Sequence, residues 1–292
     1  MLETRGLTVR FGGHIAVNDV SCSFAPGTLT AIVGPNGAGK TTYFNLISGQ
    51  LKATAGTVLL DGQLLSGQST SARTRAGLGR AFQLTNLFPN LTVLENVRLA
   101  VQATREGAHR RGLNLWSIWS DHRALTERAD AILAEVALKA KEHATVASLP
   151  HGDQRKLEVA LLMALEPKVF MFDEPTAGMN AAEAPVILDL IRALKKDRTK
   201  TILLVEHKMD VVRELADRII VLHNGQLVAD GEPSEVIASP IVQEAYLGIA
   251  KEPEGLRQAQ PERVGEGLES VPKSKSTRPE LVEGPPAEGG KP

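Results

Sequence analysis

The chain has 292 residues, of which 42% are hydrophobic and 23% charged, an ordinary make-up for a soluble globular protein with material for a sizeable core. Its net charge of -1 supplies no global basic field, so nucleic acid is not an expected partner. The single cysteine, Cys22, excludes a disulfide framework and fits a reducing cytosol, and its setting, Val20-Ser21-Cys22-Ser23-Phe24, reads as a small buried strand residue. Met1-Leu2-Glu3-Thr4-Arg5 has no apolar signal region, and no apolar run reaches the ~18 to 20 residues needed to cross a bilayer. A role at a membrane is therefore expected to require docking on a partner that spans it.

In chain order, the first clear strand is Leu29-Thr30-Ala31-Ile32-Val33, a continuous apolar run of the kind buried on both faces of a parallel sheet. It leads into Gly34-Pro35-Asn36-Gly37-Ala38-Gly39-Lys40-Thr41, which has the Gly-x-x-x-x-Gly-Lys-Thr spacing of a phosphate-cradling loop. Glycines let successive N–H groups converge on one anion, and a helix beginning near Lys40 adds its positive dipole end. Lys40 is expected to reach the β- and γ-phosphates, Thr41 to ligate magnesium, and Thr42 to touch the α-phosphate. The stretch 92–147 is mostly helical in pattern and lacks sheet-like runs. Trp116 and Trp119 fall there beside Leu113, Leu115 and Ile118, either as a satellite core or as a surface that meets a partner.

Leu157, Ala160, Leu161, Ala164 and Leu165 mark one helical stripe, and Ile187, Leu190, Ile191 and Leu194 another. Between them, the apolar run 169–172 ends in Asp173-Glu174. An unpaired carboxylate at the end of a buried strand is costly, and a magnesium ion, direct or through water, would give Asp173 a partner. Glu174 is the candidate for polarising an attacking water. The phosphate loop and this acidic pair together predict binding and hydrolysis of ATP. Two more strands, 202–205 and 219–222, follow, with His207 just after the first and an Asn224-Gly225 hairpin turn after the second. Gly34, Asp173 and His207 each follow a strand closely, which places them on the carboxyl edge of an open α/β sheet. His14, His109, His122, His143 and His223 lack metal-ligand spacing and read as surface or packing residues. From Lys251 onward the chain is rich in proline, glycine and mixed charge without aromatics, so residues 251–292 are expected to be a disordered tail.

Between the two nucleotide segments lie Gln83, in Ala81-Phe82-Gln83, and Leu149-Pro150-His151-Gly152-Asp153-Gln154. The order phosphate loop, glutamine, Leu-Ser-Gly-Gly-Gln-like signature, Asp-Glu, histidine resembles that of ABC transporter ATP-binding subunits. The resemblance implies an α/β P-loop NTPase fold with a mixed sheet core. The ATP-binding domain would be 1–250, with a RecA-like core at about 1–91 and 166–250 and an inserted helical subdomain at about 92–165. It implies Phe11 stacked on adenine, and Gln83 sensing magnesium and water while linking to a membrane subunit. It also implies His207 on the γ-phosphate and Ala177-Gly178-Met179-Asn180 crossing to a partner. Two such subunits would sandwich two ATP molecules. The signature, residues Pro150, His151, Gly152, Asp153 and Gln154, would complete the partner's site from a helix N-terminus at Gly152. The Arg-Phe-Gly-Gly start, Gly178-Met179-Asn180, the helical insertion and Ala245-Tyr246-Leu247-Gly248 are similar to the LivG type of branched-chain amino acid importer, with a urea or short-amide type as the alternative.

That resemblance implies ATP and magnesium as cofactors and a second ATPase subunit, the same or different, as partner. Two membrane permease subunits and, indirectly, a periplasmic binding protein complete the set, with the chain on the cytoplasmic face of the inner membrane. One departure stands out. Pro150 and His151 replace the signature's serine and a glycine, so two donors to the opposite γ-phosphate are missing, unless His151 donates instead. A translation or DNA-repair ATPase is disfavoured by the single cassette and the absence of a sustained heptad. A GTPase is disfavoured by the absence of Asn-Lys-x-Asp.

Overall fold

Two sheets carry the fold, and their different residue patterns follow from what covers them. The computed structural model describes residues 1–81, 87–104, 123–179, 183–240 and 242–243. Gln83, Trp116, Trp119, Asn180, residues 245–248 and the 251–292 segment lie outside the described residues. The first sheet is antiparallel: β1 (Leu2–Phe11), β2 (His14–Phe24), β4 (Ala55–Leu60) and β5 (Gln63–Leu64), in the order β2-β1-β4-β5. The second contains β3 (Leu29–Val33), β6 (Leu78–Ala81), β7 (Val169–Asp173), β8 (Thr201–Val205), β9 (Arg218–His223) and β10 (Gln226–Gly231), in the order β10-β9-β3-β8-β7-β6. Neighbours from β9 to β6 run parallel, and β10 closes one edge antiparallel.

Every residue of β3, β7 and β8 is buried, as expected for strands covered on both faces. Alternation assigns each side chain to a face. Val169, Met171, Leu203, Val205, Ile220 and Leu222 join Leu2, Leu7 and Phe24 of the first sheet in the core that also packs α1 (Lys40–Ser48). Phe170, Phe172, Ile202 and Leu204 point the other way, into a core with α3 (Val93–Thr104), α4 (Arg123–Glu135), α5 (His151–Ala164) and α6 (Ala184–Lys195). A smaller core joins Ala31, Val33, Ile219 and Val221 to α7 (Met209–Leu215) and α8 (Pro233–Ala238). Helix α2 (Thr70–Ala76) precedes β6; its Arg73 donates to the carbonyls of Leu46 and Ile47 at 2.8 and 2.6 Å, closing the C-terminal turn of α1.

Helices α3, α4 and α5 pack on one another. Val159 and Leu162 are buried in α5 while Leu161 is only partly so, and the buried set thus spans more of the helix than the single stripe expected. Ile187, Leu190 and Ile191 are buried in α6 as the spacing predicts. Asn224 (φ 48°) and Gly225 (φ 75°) form the tight turn between β9 and β10, both left-handed as a type I′ hairpin requires. Cys22 is a buried strand residue on β2.

Candidate active site

The phosphate loop leaves β3 at its carboxyl end and turns into α1. A side chain on Gly34 would overlap the carbonyl oxygen of Leu222 on β9, and one on Gly39 would sit 2.5 Å from the carbonyl oxygen of Ala16 on β2. Only glycine fits at these two places, both at positive φ (150° and 98°). The β9–β10 turn pins the loop from outside: Gly225 N–H donates to Ala38 O at 3.0 Å, and Asn18 N–H donates to Gly225 O at 2.8 Å. Lys40 Nζ donates to the carbonyls of Gly34 and Pro35 at 2.8 and 2.9 Å, so the ammonium is held against the loop. Burial pushes its pKa down, while Glu174 and Asp173 pull it back up. Helix α1 begins without a side-chain cap and without an acid in its first turn, which leaves its positive end available to an anion. A cavity of about 270 Å³ opens above the loop, lined by Asn36, Gly37, Ala38, Gly39, Lys40, Thr41 and Thr42 together with His14, Ala16, Glu174 and His207.

The parallel order of β3, β8 and β7 brings Gly34, His207 and Asp173 to one sheet edge. His207 Nε2 and Glu174 Oε1 lie 2.6 Å apart at the cavity wall. Glu174 holds φ 50°, with its N–H donating to Val205 O at 2.9 Å; such a backbone costs about 1–3 kcal/mol in a non-glycine residue and aims the side chain away from the strand direction. Asp173 ends β7, is buried, and does not itself line the cavity. Its partner is Arg80, whose Nη2 sits 2.6 Å from Asp173 Oδ2 with both side chains under 10% exposed. Burial pushes the Asp173 carboxyl up, against the opposing pull of Arg80. The buried charge that the sequence reading partnered with magnesium therefore has a partner within the chain. The other Asp173 oxygen makes no hydrogen bond among the described residues, and it and the Thr41 hydroxyl at the start of α1 are oxygen donors of the type that suits a hard cation completed by substrate phosphates. Among the described residues no cluster of three His, Cys, Asp or Glu groups is placed to hold a metal by itself.

Other expected residues fall elsewhere. Phe11 ends β1 and is 52% exposed. Pro150 is the N-cap of α5, which starts at His151, one residue before the expected Gly152. His151 is exposed. Gly152 is buried where any side chain would overlap Glu183 Oε1. Asp153 is ion-paired with Lys141 and, at 2.9 Å, with Lys156, and Gln154 Nε2 donates to Leu149 O at 3.0 Å. None of residues 150–154 lines the cavity over this chain's own phosphate loop.

Three functional candidates escaped the sequence reading. Arg80 carried a signal, a charged residue three before Gln83 in a buried strand, but β6 is only four residues long and was not recognised. His14 is exposed at the start of β2, as its surface assignment expects, and it also lines the cavity. Glu206 is 2% exposed and accepts a 2.8 Å hydrogen bond from Thr176 Oγ1, tying the segment after Glu174 to the one that carries His207.

Comparison with known proteins agrees with this geometry. Residues 17–177 match the ABC transporter family. The chain is 39% identical over 251 residues to the high-affinity branched-chain amino acid transport ATP-binding protein LivG of Escherichia coli K12, covering 86% of this chain and 98% of that one. The corresponding protein BraF of Pseudomonas aeruginosa is 37% identical over the same coverage. Among solved structures, an ATP-binding cassette of an ABC transporter in its ADP conformation has a TM-score of 0.71 at 30% identity, covering 85% of this chain and 98% of that chain. A nucleotide-free ATP-binding cassette gives a TM-score of 0.71 at 29% identity, with 84% and 98% covered. On these grounds the chain belongs to the ABC transporter family, as an ATPase of the ATP-binding cassette type.

Proposed function

We propose that this chain is the ATP-hydrolysing subunit of an importer for branched-chain amino acids. The observation that carries the hydrolytic reading is the Glu174–His207 contact of 2.6 Å on the wall of the phosphate-loop cavity. The loop amides, the α1 N-terminus and Lys40 bind the triphosphate, Thr42 meets the α-phosphate, and Phe11 stacks on the base. Glu174 takes a proton from water as its oxygen attacks the γ-phosphorus and the bond to the β,γ-bridging oxygen breaks, giving ADP and phosphate; His207 contacts the γ-phosphate. Magnesium, held by Thr41 and Asp173 with Gln83, would supply charge neutralisation of the phosphates when bound. Residues 150–154 cap the ATP of a second ATPase subunit, and the helical part at about 92–165 is a subdomain of the 1–250 domain.

Partners in this reading are that second subunit, two permease subunits and, through them, a periplasmic binding protein, at the cytoplasmic face of the inner membrane. The names of the relatives support the substrate. No helix of the described residues is long and apolar enough to cross a membrane, which fits a peripheral subunit. The test is reconstitution of the full chain with its permeases and second ATPase in proteoliposomes. Leucine uptake that requires ATP supports the proposal. Urea uptake without leucine uptake overturns the substrate, and failure to retain Mg-ATP overturns the ATPase.

A further inference from the structure

The Arg80 guanidinium reaches four groups from three segments. Nη2 holds Asp173 Oδ2 on β7, while Nη1 donates to Asn45 Oδ1 at 2.7 Å, Ser48 Oγ at 3.0 Å and Gln50 Oε1 at 2.8 Å, in and just after α1. Its carbon sits 5.5 Å from the centre of the Phe44 ring, also on α1. Its Nε is buried and, among the described residues, makes no hydrogen bond. A buried guanidinium with one nitrogen unsatisfied is an expensive way to join a strand to a helix, since apolar residues of similar volume in place of both members of a buried ion pair are often at least as stable. What an apolar residue cannot do is fix the rotamer of a carboxylate. The fork contacts one Asp173 oxygen only, and its opposite end is fastened to the helix that starts at Lys40 and Thr41.

We infer that Arg80 is a positioning residue for the metal carboxylate: it locks Asp173 in register with the phosphate-loop helix so that the free carboxylate oxygen and the Thr41 hydroxyl are presented together. The inference rests on the ATPase reading above. Groups that orient a metal's ligands are worth about 10–100-fold in metal affinity. The loop's grip on the phosphates does not pass through Asp173, so the effect is confined to the metal.

The experiment uses the full chain with a non-hydrolysable ATP analogue and Mn²⁺, whose paramagnetic signal reports the free ion. Arg80→Met is expected to raise the half-saturating Mn²⁺ by about tenfold or more, with analogue affinity in EDTA changed by less than about twofold and thermal stability lowered. Arg80→Lys is expected to recover part of the metal affinity. In turnover, kcat falls at fixed magnesium while KM for ATP is nearly unchanged. Should Arg80→Met fail to fold, the Asn45→Ala, Gln50→Ala double variant, which loosens the far end of the fork, is expected to shift Mn²⁺ the same way by a smaller factor. A lower melting temperature with an unchanged Mn²⁺ curve in the variant that folds overturns the inference and leaves Arg80 a structural ion pair. If the wild-type chain itself binds neither analogue nor Mn²⁺, it is the ATPase reading that fails.

Discussion

Substituting Glu174 by glutamine isolates its chemistry from its position. Glutamine keeps an oxygen at Oε1, so the 2.6 Å contact survives with His207 Nε2 donating, and the backbone at φ 50° is equally strained in both proteins. The change is one of charge and basicity. Loss of a positioned general base lowers turnover about 10²–10⁴-fold, equivalent to ~3–5 kcal/mol of barrier. Ground-state binding moves the other way. Removing a negative charge from the cavity wall relieves repulsion of the triphosphate, and because Glu174 is 39% exposed that gain is screened by solvent. ATP is therefore expected to bind as well as before or up to about tenfold tighter. Single-turnover release of labelled phosphate, alongside equilibrium ATP binding, separates the two effects. His207→Ala is the companion: groups in contact do not contribute independently, so the double variant should lose less than the product of the single losses. Turnover of Glu174→Gln within tenfold of wild type would refute the assignment, and strictly multiplicative losses would uncouple His207 from it.

In the proposed dimer, the double variant Pro150→Ser, His151→Gly would restore two donors to the partner's γ-phosphate, each worth about 1.5–3 kcal/mol if charge-assisted. The ATPase rate of the assembled complex should rise, and an unchanged rate removes the idea that this signature is impaired. Stability should change little, because a serine N-cap on α5 gains about 0.5–2 kcal/mol while the unfolded chain regains about 0.4–1 kcal/mol of freedom without proline. Alkaline pH tests the core between the two sheets. Burial raises Tyr43 well above its ordinary 10.0 and Cys22 above 9.0. A raised folded-state pKa means this stability is complete below the unfolded pKa and is lost as pH rises past it. Denaturant titrations above pH 10 should therefore show stability falling by about 1.4 kcal/mol per pH unit for Tyr43 alone. Tyr43→Phe should flatten that slope and cost about 0.5–1.5 kcal/mol at neutral pH for the 2.7 Å bond to Thr4 Oγ1, which keeps a 3.0 Å bond from Cys22 N–H. A slope identical to wild type would place the alkaline transition elsewhere.

The elements readable from sequence share one property: their signal is local and unbroken. The 169–172 and 202–205 runs are apolar without interruption, and Leu29–Val33 but for Thr30, because the sheet is covered on both faces, and no partner strand is needed to recognise them. The Gly-rich loop is likewise local as a spacing pattern that ends at a helix start, although the backbones that demand glycine at Gly34 and Gly39 belong to β9 and β2. Strand β1 and the first half of β2 leave no countable pattern, because register shifts and positive-φ residues at Gly6 and Asp19 break their alternation, whereas Val20–Phe24, where the two-residue period is unbroken, reads as the strand it is.

Sequence by itself determined which groups carry charge and phosphate-binding amides, and that they follow strands. Tertiary structure alone decided which groups meet. Strand order β3-β8-β7 set His207 against Glu174, and the next strand, β6, delivered Arg80 to Asp173 across 93 residues of chain. A carboxylate's partner depends on distance through space and on burial, and neither is written in the spacing of residues along a chain.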